Sequence, residues 1–319
     1  MTAGTAPGWR VSVPATAANL GAGFDCLALA LELRLTVDVF PGAGPLRLAV
    51  PKGSPAGWSD PATNLLARAL AAGCEAGGGG PPSGLVRVTA PIPLARGLGS
   101  SAAAVVAGLG AASACCGGRL SADRILSLAT AIEGHPDNAA AALLGGLAVT
   151  VRDGDGQPTA RHVPAPTGLE AVLFVPDREL ATRAARAVLP VAVPLADAVF
   201  NAGRCALLVH AFCSGDLPCL GLALEDRWHQ PARARLLPWM PELIAAARAA
   251  GAYGACLSGA GPAVLALTAS RPGPRRAVSQ ALTTAAARAG VGGAVRVLAL
   301  APRGMVTEPL PPRRPGDRR

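Results

Sequence analysis

Two early stretches of the chain alternate between apolar and polar residues. Trp9, Val11 and Val13 interleave with polar neighbours, and Leu31, Leu33, Leu35, Val37 and Val39 interleave with Glu32, Arg34, Thr36 and Asp38. A period of two predicts strands with one buried face. Leu46, Leu48 and Val50 repeat the pattern, and shorter apolar runs predict strands over 85–90, 147–151, 171–175, 255–257, 263–268 and 295–300. Helices are expected over 64–75, 101–115, 181–189 and 194–212, after Pro241, and again up to Ala289. Ser121 reads as an N-cap for a helix whose face is Ile125, Leu128, Ala129 and Ile132, and a further helix runs from Asn138 to Gly145-Gly146. Helices and strands mix in both halves without an internal repeat, so the expected class is α+β.

A chain of 319 residues suits two domains. The polar, Gly- and Pro-bearing stretch 152–168 marks the boundary, giving units over 1–160 and 161–305 and a disordered basic tail over 306–319. Charged residues make up only 15% against 51% hydrophobic, which describes a globular chain. The net charge of +9 sits partly in the terminal PRRPGDRR, and the remaining arginines are scattered with no aromatic interleaving, so no nucleic-acid partner is expected. The eight cysteines are dispersed without a CxxC, and the four histidines lack metal-ligand spacing. With no apolar h-region in MTAGTAPGWR, this predicts a cytoplasmic protein with reduced thiols. The charge-free interval between Arg96 and Arg119 is rich in Gly, Ala and Ser and opens on a glycine turn, so it predicts a buried helix and no membrane span.

Four segments carry chemistry. In Pro93-Leu94-Ala95-Arg96-Gly97-Leu98-Gly99-Ser100-Ser101-Ala102-Ala103 two glycines precede a helix start, where unpaired N–H groups and the dipole favour an anion. No Lys follows the second glycine, which excludes a Walker A loop. In Glu133-Gly134-His135-Pro136-Asp137-Asn138 polar and turn residues interrupt an apolar stretch; a carboxylate there can hold Mg²⁺, and Asp137 or Asn138 can address a substrate hydroxyl. The same residues also suit a plain helix–turn–helix connection with a capping Asp or Asn. Asn19 and Asp25, on the Gly-containing stretch 14–25, are placed to hold an ammonium or simply to make a turn, and Ser258-Gly259-Ala260-Gly261-Pro262 reads as a tight turn. Arg186 and Arg233 can grip a carboxylate bidentately, although each alone also fits a solvated surface position.

Taken in this order over residues 9 to 300, the segments resemble the GHMP kinase family, named for galactose, homoserine, mevalonate and phosphomevalonate kinases. PLARGLGSSAA is similar to its phosphate loop and SGAGP to its C-terminal glycine motif. VPATAANLGAGFDCLALAL, EGHPDNAAAALLGGL and LEDRWHQPARA look most like the members that act on L-homoserine. The resemblance implies a two-domain GHMP kinase fold, with a ribosomal protein S5 domain 2-like N-terminal half, a ferredoxin-like C-terminal half and the active site between them. It implies ATP and Mg²⁺, L-homoserine as substrate and O-phospho-L-homoserine as product. Residues 93–103 would wrap the phosphates with Ser101 and Glu133 on Mg²⁺, Asn64 near the adenine and Thr182 near the metal's water shell. Asn19, Asp25, His135, Asn138, Arg186 and Arg233 would surround homoserine, with Asp137 open as a base. The oligomeric state is left open between monomer and homodimer. Ala22, Ala139, Ala141 and Ala232 depart from the family's usual Pro, Val, Pro and Tyr.

Overall fold

The structure, a computed structural model, describes residues 7–311. In chain order its first part holds strands β1 (Trp9–Asn19), β2 (Gly23–Pro45) and β3 (Arg47–Ala49), helix α1 (Leu65–Ala76), strand β4 (Ser83–Thr89), helices α2 (Ser100–Cys115), α3 (Ala122–Glu133) and α4 (Asp137–Leu144), and strands β5 (Leu147–Arg152) and β6 (Pro158–Val163). The second part holds strand β7 (Leu169–Pro176), helices α5 (Thr182–Ala187), α6 (Leu195–Ser214), α7 (Leu220–Ala223), α8 (His229–Arg233) and α9 (Met240–Ala249), strands β8 (Gly254–Leu257) and β9 (Val264–Ala269), helix α10 (Pro272–Arg288), and strands β10 (Gly293–Ala299) and β11 (Val306–Pro309).

The alternating residues build the first sheet. Val11 and Val13 pair with Val37 and Leu35 across antiparallel β1 and β2, and all four are buried. A register shift opposite Pro14/Ala15 adds residues to β2, and such a bulge bends a strand. One end of β2 therefore pairs with β5 (Leu27–Leu29), while the other pairs with β4 (Thr36–Pro45). α2 lies against β1, β2 and α1, with Val105, Val106 and Leu109 fully buried, so the charge-free interval does form an interior helix. Helix starts follow the polar signals: Asn64 Oδ1 accepts from the Ala67 N–H, and Ser121 Oγ accepts from the Arg124 N–H.

Two strands extend this sheet beyond the expected bounds. The interval marked as a domain boundary contains β6, which pairs with β5 from Leu147↔Val163 to Arg152↔Pro158. Residues 306–309, placed in the expected tail, instead form β11 and pair with β1 from Trp9↔Pro309 to Ser12↔Val306. The chain thus returns to its first sheet at the end; residues 312–319 of that tail lie outside the described residues.

The second sheet has the order β10-β7-β9-β8, all antiparallel, and α9 and α10 pack against it. Read along the chain as β7-α9-β8-β9-α10-β10, this is the ferredoxin-like arrangement. Its central strands are buried on both faces, which explains the apolar runs Ala171–Val175 and Val264–Leu267 within them. On β7, Leu169, Ala171, Leu173 and Val175 join the core shared with the first sheet, while Val172 and Phe174 join a second core beneath α9 and α10. The long helix α6 buries Asn201, Leu208, Ala211 and Phe212 and exposes Leu195 and Val199.

Because β7 is the wall between both cores, truncating it should weaken the whole molecule. Leu173, with no exposure, leaves a cavity when cut to Ala; such changes cost about 2–5 kcal/mol. Leu173→Ala should lower unfolding stability by that amount in a single transition detected equally by far-UV and tryptophan signals. Two separated transitions would show that the sheets unfold independently.

Candidate active site

The strand–turn–helix at 93–103 places Gly97 where the two halves touch. Gly97 has φ +79°, and a Cβ there would collide with the backbone carbonyl of Ser258. Gly99 (φ +66°) packs against the Thr16 side chain and caps α2 without any side-chain hydrogen bond. The first-turn N–H groups of α2 therefore meet no capping side chain and open toward the cleft with the positive end of the dipole. Ser258 Oγ donates to the Gly97 carbonyl at 2.6 Å, and the Ala263 and Leu180 N–H groups donate to the carbonyls of Arg96 and Ala95 at 3.2 and 3.1 Å.

Two hollows share this loop. One, of about 390 Å³, is chiefly apolar, with Leu35, Trp58, Leu66, Val88 and Ile92 in its wall and Ser100 and Ser101 at its edge. Asn64 also lines it, but its side chain is committed: Oδ1 caps α1 and Nδ2 donates to the Trp58 carbonyl at 2.8 Å. The other, of about 340 Å³, gathers Asn19, Asp25, Glu133, His135, Asp137, Asn138, Thr182, Arg186 and Arg233 with 97–101 and 259–261. Among the expected positions, Pro93, Arg96, Ala102 and Ala103 line neither hollow. Ala102 and Ala103 face the core, and Arg96 turns away to the carbonyls of Pro176 and Asp177 and to Glu179. Ala232 faces a separate hollow beside Val193 and Trp228.

Inside the polar hollow the side chains pair by function. Ser101 Oγ donates to Glu133 Oε2 at 2.7 Å. Burial pushes the Glu133 carboxyl above its ordinary range and outweighs that hydrogen bond. Asp137, 2% exposed, accepts on Oδ1 from the His135 ring at 2.6 Å and from the Asn138 backbone N–H at 2.7 Å. Burial alone would lower His135, but the Asp137 hydrogen bond and charge raise it overall. Asn138 Oδ1 accepts from Thr16 Oγ1 at 2.7 Å, which turns its amide N–H₂ toward Asp137. Asp25, His135 and Asp137 bring ligand atoms within 4.8 Å of one another, but Asp137 is held by His135 and Asp25 by Arg186.

Asp25 and Asn19 both have left-handed backbones, φ +57° and +70°, held by an Asp25 N–H to Asn19 Oδ1 bond and by Asn19 Nδ2 donating to the Gly259 carbonyl at 2.8 Å. Arg186 forks onto Asp25, with Nη1 and Nη2 at 3.0 and 2.6 Å from its two oxygens. Arg233 is 1% exposed and donates to the Ala185 and Gly259 carbonyls at 3.3 and 3.1 Å. Its third partner is His229 Nδ1 at 2.9 Å. His229 Nε2 lies 2.6 Å from the Gly21 carbonyl, so the ring donates there and accepts from Arg233. Burial pushes the His229 pKa down to about 4 and, with Arg186 nearby, lowers Arg233 to about 10, so the imidazole is neutral and the guanidinium charged at neutral pH.

Sequence reasoning missed Thr16, Phe24 and His229. Phe24 lies under both guanidiniums, 5.2 Å from Arg186 and 5.3 Å from Arg233. Both Thr16 and Phe24 sit inside the 14–25 stretch, and His229 is one turn before Arg233, so the i, i+4 spacing was the available signal.

Comparison with known proteins agrees with this geometry. Family models for the GHMP kinases N terminal domain and the GHMP kinases C terminal match residues 64–146 and 208–287. The homoserine kinase of Moorella thermoacetica is 43% identical over 297 residues, covering 93% of this chain and 98% of that protein. The homoserine kinase of Thermus thermophilus is 44% identical over 274 residues, 86% and 91% of the two chains. The crystal structure of homoserine kinase from Cytophaga hutchinsonii superposes with a TM-score of 0.84 at 28% identity, covering 95% of this chain and 98% of that one. A phosphate-type glycine loop, a polar hollow and matching sequence over nearly the full length lead to one assignment: the chain belongs to the GHMP kinase family and, within it, to the homoserine kinase group.

Proposed function

We propose that this chain transfers the γ-phosphoryl group of ATP to the side-chain hydroxyl of L-homoserine, giving ADP and O-phospho-L-homoserine in the direction of threonine. One observation carries the reading: a single hollow has the uncapped N-terminus of α2 at one end and Asp25, Arg186 and Arg233 at the other. Such an end attracts phosphate oxygens, and the charged trio suits a small amino acid. The apolar hollow beside Ser100 and Ser101 suits an adenine base. All eight cysteines are free, which supports a reducing, cytoplasmic setting.

The Ser101 hydroxyl and Glu133 carboxylate are hard oxygen donors that fit Mg²⁺. When bound there, the ion would neutralise charge on the transferring phosphoryl oxygens. The remaining work is positioning. Thr182 lines the same hollow as that donor set. Asn138, oriented by Thr16, aims the substrate hydroxyl, and His135 fixes the Asp137 carboxylate beside it. In a loose transition state the hydroxyl keeps its proton late, so Asp137 serves to hold this turn rather than as an obligatory base.

An ADP-release assay tests the substrate directly: L-homoserine should support turnover, and mevalonate or galactose should not. Arg233→Lys should raise the homoserine KM by about tenfold or more, because an ammonium cannot reproduce the fork, and leave the ATP KM nearly unchanged. Absence of homoserine-dependent ADP release in a folded, nucleotide-binding protein would refute the assignment. For the metal reading, Ser101→Ala and Glu133→Gln should each lower kcat by about 10²-fold or more. Near-normal turnover of both at saturating Mg²⁺ would place the metal elsewhere.

A further inference from the structure

The amino-acid end of the hollow holds two guanidiniums and one counter-ion. Asp25 gives both carboxylate oxygens to Arg186. Arg233, by contrast, is bonded only to two carbonyls and a neutral imidazole, and no carboxylate lies within ion-pair distance of it among the described residues. The three charges the substrate is expected to use are therefore in two conditions. Asp25 is occupied, Arg186 is occupied by Asp25, and Arg233 is open.

We propose that the Asp25–Arg186 ion pair is an internal lock which an α-amino acid opens by substituting both charges at once, so that the hollow selects the zwitterion over either of its charged halves. This rests on the amino-acid reading above. The three side chains sum to one positive charge, and a zwitterion leaves that sum unchanged. Its ammonium can replace Arg186 on Asp25 while the released Arg186 joins Arg233 on the carboxylate, so no charge is stranded.

A ligand with only an ammonium meets a different result. Taking Asp25 would leave Arg186 beside Arg233 over the same Phe24 ring, two cations with no anion between them. A ligand with only a carboxylate can sit on Arg233 and leave the lock shut. Asp25 is the fixed half, since its left-handed backbone is pinned by Asn19. Arg186 is the half that moves: its charge sits at the end of a long, many-rotamer side chain on the short helix α5.

Calorimetric binding to the ADP-loaded protein tests this without relying on turnover, using 3-amino-1-propanol as the ammonium half and 4-hydroxybutanoate as the carboxylate half of homoserine. In Arg186→Gln the lock is gone and Asp25 is bare, so 3-amino-1-propanol should bind at least fivefold tighter while L-homoserine binds at least tenfold weaker. Arg183→Gln removes the same charge from the exposed side of α5 and controls for the general field; there both constants should move less than twofold. Asp25→Asn gives the converse, with Arg186 released and 4-hydroxybutanoate at least fivefold tighter, and it decides the matter if Arg186→Gln does not fold. Unchanged 3-amino-1-propanol binding in Arg186→Gln, or equal shifts in Arg183→Gln, would overturn the lock. Wild-type protein that binds homoserine but releases no ADP would instead refute the kinase assignment and leave the lock standing.

Discussion

The rest of the site depends on a seam where backbone carbonyls of one half accept hydrogen bonds from the other. Residues 95–99 receive hydrogen bonds from Leu180, Ser258 and Ala263 on one side and from Thr16 on the other, at 2.6–3.2 Å. Gly259 N–H returns one to the Ala18 carbonyl at 2.9 Å. Peptide groups brought into an interior must be paired, and here each loop satisfies the other. The loop that presents the N-terminus of α2 is thereby locked to the turn that supports Asn19 and Arg233. Phosphate end and amino-acid end are held in one geometry before any ligand arrives, which is what a positioning catalyst requires.

Against that rigid frame the charges are arranged at some cost. Arg233 is desolvated without a carboxylate, a condition that is unfavourable in isolation and favourable once an anion arrives. Its neighbour His229 can serve as its acceptor only while neutral, and deep burial keeps it so. Glu133, raised by burial, is likewise a carboxylate short of a cation, with only the Ser101 hydroxyl to hold it. In the unliganded protein the hollow thus leaves Arg233 without an anion and Glu133 without a cation, while Asp25 and Arg186 satisfy each other.

How much of this was legible in the sequence follows from how local each signal is. Period-two runs such as Leu31–Val39, and caps such as Ser121, act within a few residues and were read directly. The 14–19 segment is the end of β1, yet it carries no strand signal, because Ala15 through Ala18 are all buried and show no alternation. β6 and β11 were missed because edge strands carry charge and Pro, as in Pro158–Val163 and Val306–Pro309, and exist only where a partner strand offers its edge. The proposed contact residues were picked out through their order along the chain, and fifteen of them line one hollow: the nine polar groups there, Ala95 and residues 97–101. Their states were not recoverable. Nothing local in Arg233 tells that it is buried and unpaired, or in Asn64 that both ends of its amide are already used.

The seam can be tested at one atom. Gly97 lies at φ +79° with the Ser258 carbonyl in the space of its absent Cβ, so an alanine there must push the two loops apart. Displacements of this kind cost reaction rate far more than affinity for either ligand alone. The deciding measurement is the homoserine-dependent kcat of Gly97→Ala. The account predicts a fall of about 10²-fold or more in a protein that still folds and binds ADP. A kcat within a few-fold of wild type would show that the cleft does not depend on the seam.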